Sequence, residues 1–558
     1  MERRADSGAV GFARGFFHGT IQEDLIFPFP ELDSAEAEEL DLVLTAFRRF
    51  AEDKIDPVAI DAASKLPPEV IRGLADMGVL GLTVPEEHGG LGLSVTAYCH
   101  FMETVGGHCG ATATLIGGHQ SLGSKAIILF GSDELKARYL PRLATGELIA
   151  AFSLSEPWAG SDAGALRTVA AWDEKEGIYV LNGTKQWCTN GGVCDVVITF
   201  ARTPDLGPTK KGRDITAFVV EMDTPGLTRG REEHKMGLRG SSTIELGLQN
   251  VKVPAANVLG KKGEGLKLAL TVLDTGRLSL GACCVGAAKR MLAGAVGHAK
   301  ERQQFDTYLK DFELIQEKLA DMAATIYAME SVTYLTAGLA DRGDSDYAIE
   351  SAITKTLCSE GLWKVVNHAV QVNGGNGFIT EYPYERFLRD SRVNMIFEGT
   401  NEIQRLFIAG TGLKAPAGAV AGAAAGGAGA AGGAAEARFT RVPGALGAEA
   451  AMVETGVGAL AAAAQAAVAR HGAALAQREL VLARLADCAI DLYATSACLA
   501  RTTAAMAERG PDGAAGEIDM TRLFAAAAGR RLELALRACE SNEDDVVRRV
   551  SERACAAS

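Results

Sequence analysis

"QVNGGNGFITEYPYERFLRDSRVNMIFEGTNEIQR" runs from Gln371 to Arg405 and sets one carboxylate, Glu398, between two large apolar residues and a glycine. Two readings are open. In one, Glu398 opens a helix, because an acid near an N-terminus is favoured by the peptide dipole and "GTNEIQR" continues as helix. In the other, "MIF" builds an apolar wall that desolvates the carboxylate, raises its pKa toward neutrality and makes it a general base.

The chain around this stretch has 558 residues, enough for three or four packed units. Its formal charge of -14 argues against nucleic-acid binding and offers no polybasic membrane arm. Eleven cysteines occur without a CxxC pair, two of them adjacent as Cys283 and Cys284, which suits reduced thiols in an intracellular protein. The histidines show no HExxH or other ligand spacing, so no metal is expected. "MERRADSGAVGFARGFF" has an Arg pair but no apolar stretch behind it, and Glu2 and Asp6 are unlike a transit peptide. The expected location is therefore the cytoplasm of a bacterial-type cell, with peripheral association at the inner membrane left open.

Outward from Glu398 the pattern is helical, β, helical, linker, helical. A segment over 1–33 precedes helical periodicity over 34–150, as in "ELDLVLTAFRRFAEDKI" and "PPEVIRGLADMGVLGL". Over 151–258, stretches such as "CDVVITFARTP" and "ITAFVVEMDTPG" are short, β-branched and bounded by turn residues, predicting a central β domain. Long helices return over 259–412, where Ile315, Leu319, Met322 and Ile326 make an apolar stripe. An Ala/Gly-rich tract over 413–440 reads as a flexible linker, and 441–558 as a final helical domain.

"GGHQSLGSK" nearly matches a phosphate-binding loop, but Ser precedes Lys and no strand leads into it. A GxGxxG after a strand is missing too, so a Rossmann site is not expected. Any nucleotide cofactor must be held another way.

"AFSLSEPWAGSD" (Ala151 to Asp162), "LNGTKQWCTNGG" (Leu181 to Gly192), "RQQF" (Arg302 to Phe305) and the opening stretch together resemble the acyl-CoA dehydrogenase family, over residues from about 25 to 412. The further C-terminal unit, with "QRELVLARLADCAIDLYA", is similar to the very-long-chain branch. The resemblance implies a mainly α fold with a central β domain: a helical domain, a β barrel-like domain, a four-helix-bundle domain and a C-terminal helical domain. It also implies FAD, contacted by Phe152, Leu154, Ser155, Ser161, Trp187, Cys188 and Thr189, and by Gln371, Gly374, Gly375, Thr400 and Glu402. Arg302, Gln304 and Phe305 resemble residues that reach the cofactor from a neighbouring subunit, so a homodimer is implied. A guanidinium suits bidentate phosphate binding, and an indole offers a plane to stack on.

The implied reaction takes two hydrogens from the α and β carbons of a fatty acyl-CoA in fatty acid β-oxidation, giving the trans-2-enoyl thioester. Glu398 would be the base, with its own backbone N–H and a cofactor hydroxyl stabilising the enolate oxygen. Some branches carry the base at the place of Gly276, which has no carboxylate to offer. Ser161, Asp274, Arg277, Phe397 and Gly399 match substrate-binding positions, although Asp274 and Arg277 also read as a helix-surface ion pair. Electron-transferring flavoprotein is the implied electron acceptor. An acyl-CoA oxidase, or an assembly role in respiratory complexes with the same architecture, are the alternatives. Three departures stand out: Trp158 where the family has a small residue, Asp306 where it has glycine, and Ser155 for the commoner Thr. Glycines at 117, 118 and 123 read either as close helix packing or, for Gly117 and Gly118, as an open floor for long acyl chains.

Overall fold

The computed structural model describes residues 11–207, 211–343, 345–414 and 438–556. Most of the expected linker, residues 415–437, and the first ten residues of the N-terminal segment lie outside them. The chain divides into two compact units, one of Leu32–Ala299 with Leu362–Gly399, the other of Met1–Glu31, Lys300–Gly361 and Thr400–Ser558.

In the first unit, the helix Ser34–Lys54 starts where the Asp33 carboxylate accepts the Glu36 N–H, and Val95–His108 starts where Ser94 Oγ accepts that of Ala97. Phe47 and Phe101 lock the two edge to face at 5.2 Å. Gly110–Gly117 then runs on through a π-helical turn, Gly118–Ser124, into Lys125–Phe130. Such turns are rare and are frequent at functional sites.

Strands follow from Ala150 to Leu259 in one eight-stranded sheet. Ala150–Ser153 runs parallel to Val196–Arg202, which pairs antiparallel with Ile215–Glu221. These last two are buried on both faces and are accordingly near-continuous apolar runs. Thr243–Pro254 instead alternates buried and open positions, as a sheet with one wet face requires. The helix Gly265–Glu301 packs its backbone against Val95–His108. A β-carbon on Gly286 would meet the Glu103 carbonyl oxygen at 1.8 Å, and one on Gly106 the Cys283 Cα at 2.5 Å.

The second unit is built on Glu313–Arg342, Gly447–His471, Glu479–Gly513 and Ala515–Glu540. Of the expected stripe on Glu313–Arg342, Met322 and Ile326 are buried, while Ile315 and Leu319 are partly open. Hydroxyls bridge the helices inside this core, with Tyr493 on Thr336 at 2.9 Å and Tyr327 on Thr502 at 2.7 Å. The short helix Phe12–Phe16 is buried in the same core, and its Ala13 N–H donates to Glu350 Oε1 at 2.7 Å.

Candidate active site

Glu398 does not open a helix. Thr400 caps Asn401–Gly412 by accepting the Ile403 N–H at 3.3 Å, and the acid of the first turn is Glu402. Glu398 precedes that cap with φ +59°, followed by Gly399 at +84°. A non-glycine residue held there costs on the order of 1 kcal/mol or more and marks an over-determined site. Part of the determination is Arg277, 6% exposed, whose Nε donates to the Glu398 carbonyl at 3.4 Å while its Nη1 pairs with Asp274 at 3.0 Å. Arg277 is buried and Asp274 partly buried, so the pair is not a solvated one on the helix surface.

Opposite the carboxylate lies Gly276 on Gly265–Glu301, where a β-carbon would stand 3.1 and 3.2 Å from its two oxygens. Both residues line an apolar cavity of about 120 Å³, together with Phe397, Leu122, Thr189, Gly117 and Gly118. The apolar cover expected from Ile396 is not found. That side chain is 51% exposed, and Phe397 and Leu122 face the cavity instead.

Three glycines of one helical run have three different surroundings. A β-carbon on Gly117 meets only Met102 Cε at 3.7 Å, an ordinary contact. One on Gly118 meets Asn190 Nδ2 at 2.8 Å, and one on Gly123 meets Ala150 Cβ at 2.4 Å. Gly117 is open to the cavity, Gly123 serves close packing, and Gly118 does both.

On the sheet, Ile178–Thr189 slips register against Thr243–Pro254 between Lys185 and Cys188. This bulge turns Trp187 to φ +60° and leaves its indole 56% exposed. The Gln186 N–H donates to the Ser155 carbonyl at 2.9 Å, tying "FSLSEP" to the same rim. Phe152 packs on Phe200 at 4.9 Å, and burial pushes the Cys188 thiol up to about 12, leaving it unreactive. The sequence reading missed what anchors this rim. Lys185 Nζ pairs with Glu156 at 2.7 Å with both side chains essentially inaccessible, and also reaches the Leu154 carbonyl at 3.4 Å. Glu156 further accepts the N–H groups of Arg167 and Thr168 at 2.5 and 3.1 Å. The signal available was a lysine inside a strand, with a glutamate just before Pro157 to neutralise it.

Trp158 disturbs none of this. Glu156 and Ala159 exchange backbone hydrogen bonds at 3.1 Å, so Trp158 sits at the tip of a tight turn with the Arg167 guanidinium 5.1 Å over its ring. Ser161, on the same loop, is exposed. Gly374 has φ +57°, and a β-carbon on it or on Gly375 would meet nothing within 4 Å, so both leave bare backbone accessible after Ala348–Asn373. In the other unit, Arg302, Gln304 and Phe305 belong to an exposed hairpin of Gln303–Gln304 with Thr307–Tyr308, Phe305 being 90% exposed.

Family models match nearly the whole described chain: the acyl-CoA dehydrogenase N-terminal domain over 37–147, its middle domain over 151–251 and its C-terminal domain over 263–413. A further model, the ACAD9/ACADV C-terminal domain, matches 444–558. The mouse mitochondrial very long-chain specific acyl-CoA dehydrogenase is 39% identical over 533 residues, covering 91% of this chain and 81% of that protein. The chain belongs to the acyl-CoA dehydrogenase family. A probable acyl-CoA dehydrogenase of Bacillus subtilis is 37% identical over 83% of this chain and 80% of its own length. Among solved structures, a Bacillus anthracis acyl-CoA dehydrogenase complexed with FAD superposes with a TM-score of 0.82 at 32% identity, over 97% of this chain and 94% of that one. Acyl-CoA dehydrogenases are flavin-dependent oxidoreductases, and this chain shares that enzyme class and the family's helical, β, helical architecture.

Proposed function

We propose that this chain desaturates long- and very-long-chain fatty acyl-CoA thioesters between the α and β carbons, with Glu398 as the base that takes the α proton. The observation that carries the assignment is the position of the Glu398 carboxylate, facing Gly276 at the head of an apolar cavity and held by a backbone that Arg277 fixes. A base must be placed before its pKa matters, and a strained backbone held by Arg277 places it. The backbone N–H of Glu398 is the protein's donor to the thioester oxygen as enolate charge develops.

The rim of the β domain suits FAD. An exposed indole on a bulge, the Ser155 loop strapped to it, and the bare backbone at Gly374 and Gly375 offer a stacking plane, polar edges and close approach. When bound, FAD supplies the acceptor for the β hydrogen, which leaves as hydride. Arg302 offers a phosphate partner on a hairpin whose exposure suits a second subunit, so a homodimer completes the proposal. Electron-transferring flavoprotein is the proposed acceptor.

The cavity supports the long-chain reading. On the run Gly110–Ser124, Leu122 lies at the Glu398 end and Gly110 also lines the cavity, twelve residues away, or about 18 Å of helix. Each methylene buried along it contributes about 0.8 kcal/mol. Anaerobic titration with acyl-CoAs of increasing length, read as flavin bleaching, tests the proposal. Bleaching should favour palmitoyl-CoA and longer chains, and Glu398→Gln should keep FAD and bind substrate yet lose nearly all bleaching. Unchanged bleaching in that variant overturns the assignment of the base.

A further inference from the structure

The cavity that begins at Glu398 ends on a second carboxylate. At its far end lie Gly110, Leu238 and Asp390, and these same residues wall a smaller pocket beyond it that is also lined by Arg386. Asp390 is the last residue but one of the helix Tyr384–Ser391, and its Oδ1 accepts the N–H of Leu238, itself at φ +48°. That is the one hydrogen bond made by its carboxylate among the described residues. Oδ2 lies 3.7 Å from where a β-carbon on Gly110 would be, so the missing side chain leaves it reachable from the cavity. Burial, with a smaller push from Asp61, raises the Asp390 carboxyl to about 6 against the Leu238 N–H and the charges of Arg386 and Arg389. A purely hydrocarbon tunnel gains nothing from such a floor.

We propose that Asp390 receives a hydrogen-bond donor at the far end of the acyl chain, so that ω-hydroxyacyl-CoA thioesters are substrates alongside unsubstituted ones. The inference rests on the acyl cavity of the proposed function. A hydroxyl buried without a partner costs roughly 10- to 100-fold in binding, and Asp390 removes that penalty for a chain long enough to reach it.

The test compares kcat/KM for plain and ω-hydroxylated acyl-CoAs from ten to eighteen carbons, using the FAD-loaded full chain. The ratio of hydroxylated to plain substrate should be well below one for ten carbons and rise to one or above at a single longer length. Asp390→Val should abolish that rise by 10-fold or more while plain palmitoyl-CoA turns over, and Asp390→Asn, which keeps an acceptor for the Leu238 N–H, should restore part of it. If Asp390→Val fails to fold, Gly110→Val interposes a side chain and should remove the rise with the Asp390–Leu238 bond intact. A ratio that stays low at every length, or a rise untouched by these variants, overturns the proposal. A chain that oxidises plain acyl-CoAs of no length contradicts the proposed function instead.

Discussion

Gly276 and Glu398 face each other so closely that a methyl on the glycine would press on the carboxylate. A β-carbon there would crowd both oxygens at 3.1 and 3.2 Å and Leu122 Cδ2 at 3.0 Å. Gly276→Ala should therefore displace the carboxylate by a few tenths of an ångström and cost about 10- to 100-fold in flavin reduction, because misplacement of a base is expensive. Flavin content should not change. The same proximity predicts that Gly276→Glu in a Glu398→Gly background recovers activity that Glu398→Gly alone lacks. Rapid-reaction reduction by palmitoyl-CoA measures both, and a full-speed Gly276→Ala enzyme would contradict the geometry.

Gly117 and Gly118, where the α-helix passes into the π-helical turn, give a graded prediction. Gly117→Leu should lower kcat/KM for palmitoyl-CoA and longer substrates far more than for octanoyl-CoA, with the melting temperature near wild type, since only Met102 Cε lies near its β-carbon. Gly118→Leu cannot be equally benign. It would push on Asn190, whose Nδ2 donates to the Leu115 carbonyl at 2.9 Å, and overpacking of this kind costs about 1–3 kcal/mol. Melting curves together with the two rate ratios separate the roles, and equal losses for short and long chains in Gly117→Leu would assign that glycine to packing as well.

What the sequence made legible was whatever one local pattern carries. The alternation in Thr243–Pro254, the apolar runs of Val196–Arg202 and Ile215–Glu221, and the long motif around Glu398 each announce themselves within a few residues. Pairings across long separations were silent: Lys185 with Glu156, Arg277 with the Glu398 carbonyl, and Ala13 with Glu350 over 337 positions. Ile396 shows the limit within a single motif, because neighbours in sequence diverge at a kink and only Phe397 turns inward. Equally, "FARGFF" reads as an unremarkable terminus until the core that receives Phe12 and Phe16 is folded.

The hairpin carrying Arg302 stores a small strain that can be removed. Phe305 and Asp306 form its two-residue turn with φ of +54° and +58°, the arrangement in which the second position favours glycine. Asp306→Gly should stabilise the hairpin by about 0.5–1 kcal/mol and leave flavin retention intact or improved. Arg302→Ala should instead weaken retention, since a phosphate loses its guanidinium. Flavin absorbance after dilution and gel filtration reads both, and full occupancy in Arg302→Ala would contradict the role given to that arginine.

Glu350 offers a pH test of the second unit. It is fully buried, and desolvation, with a small push from Asp346, raises its carboxyl to about 7 against the Ala13 N–H that favours the charge. A carboxyl whose folded pKa exceeds its unfolded value binds more protons when folded, so its contribution is most favourable below about 4.5 and is lost as pH rises through 7. Above that, a buried carboxylate costs on the order of 3 kcal/mol relative to a neutral group. Glu350→Gln keeps an acceptor for Ala13 and removes the charge. Its melting temperature should exceed that of wild type at pH 8 by several degrees, and the difference should shrink steadily toward pH 5. A difference independent of pH, or a variant less stable at pH 8, would mean that the charged form is satisfied where it lies and that burial of Phe12–Phe16 does not depend on its proton.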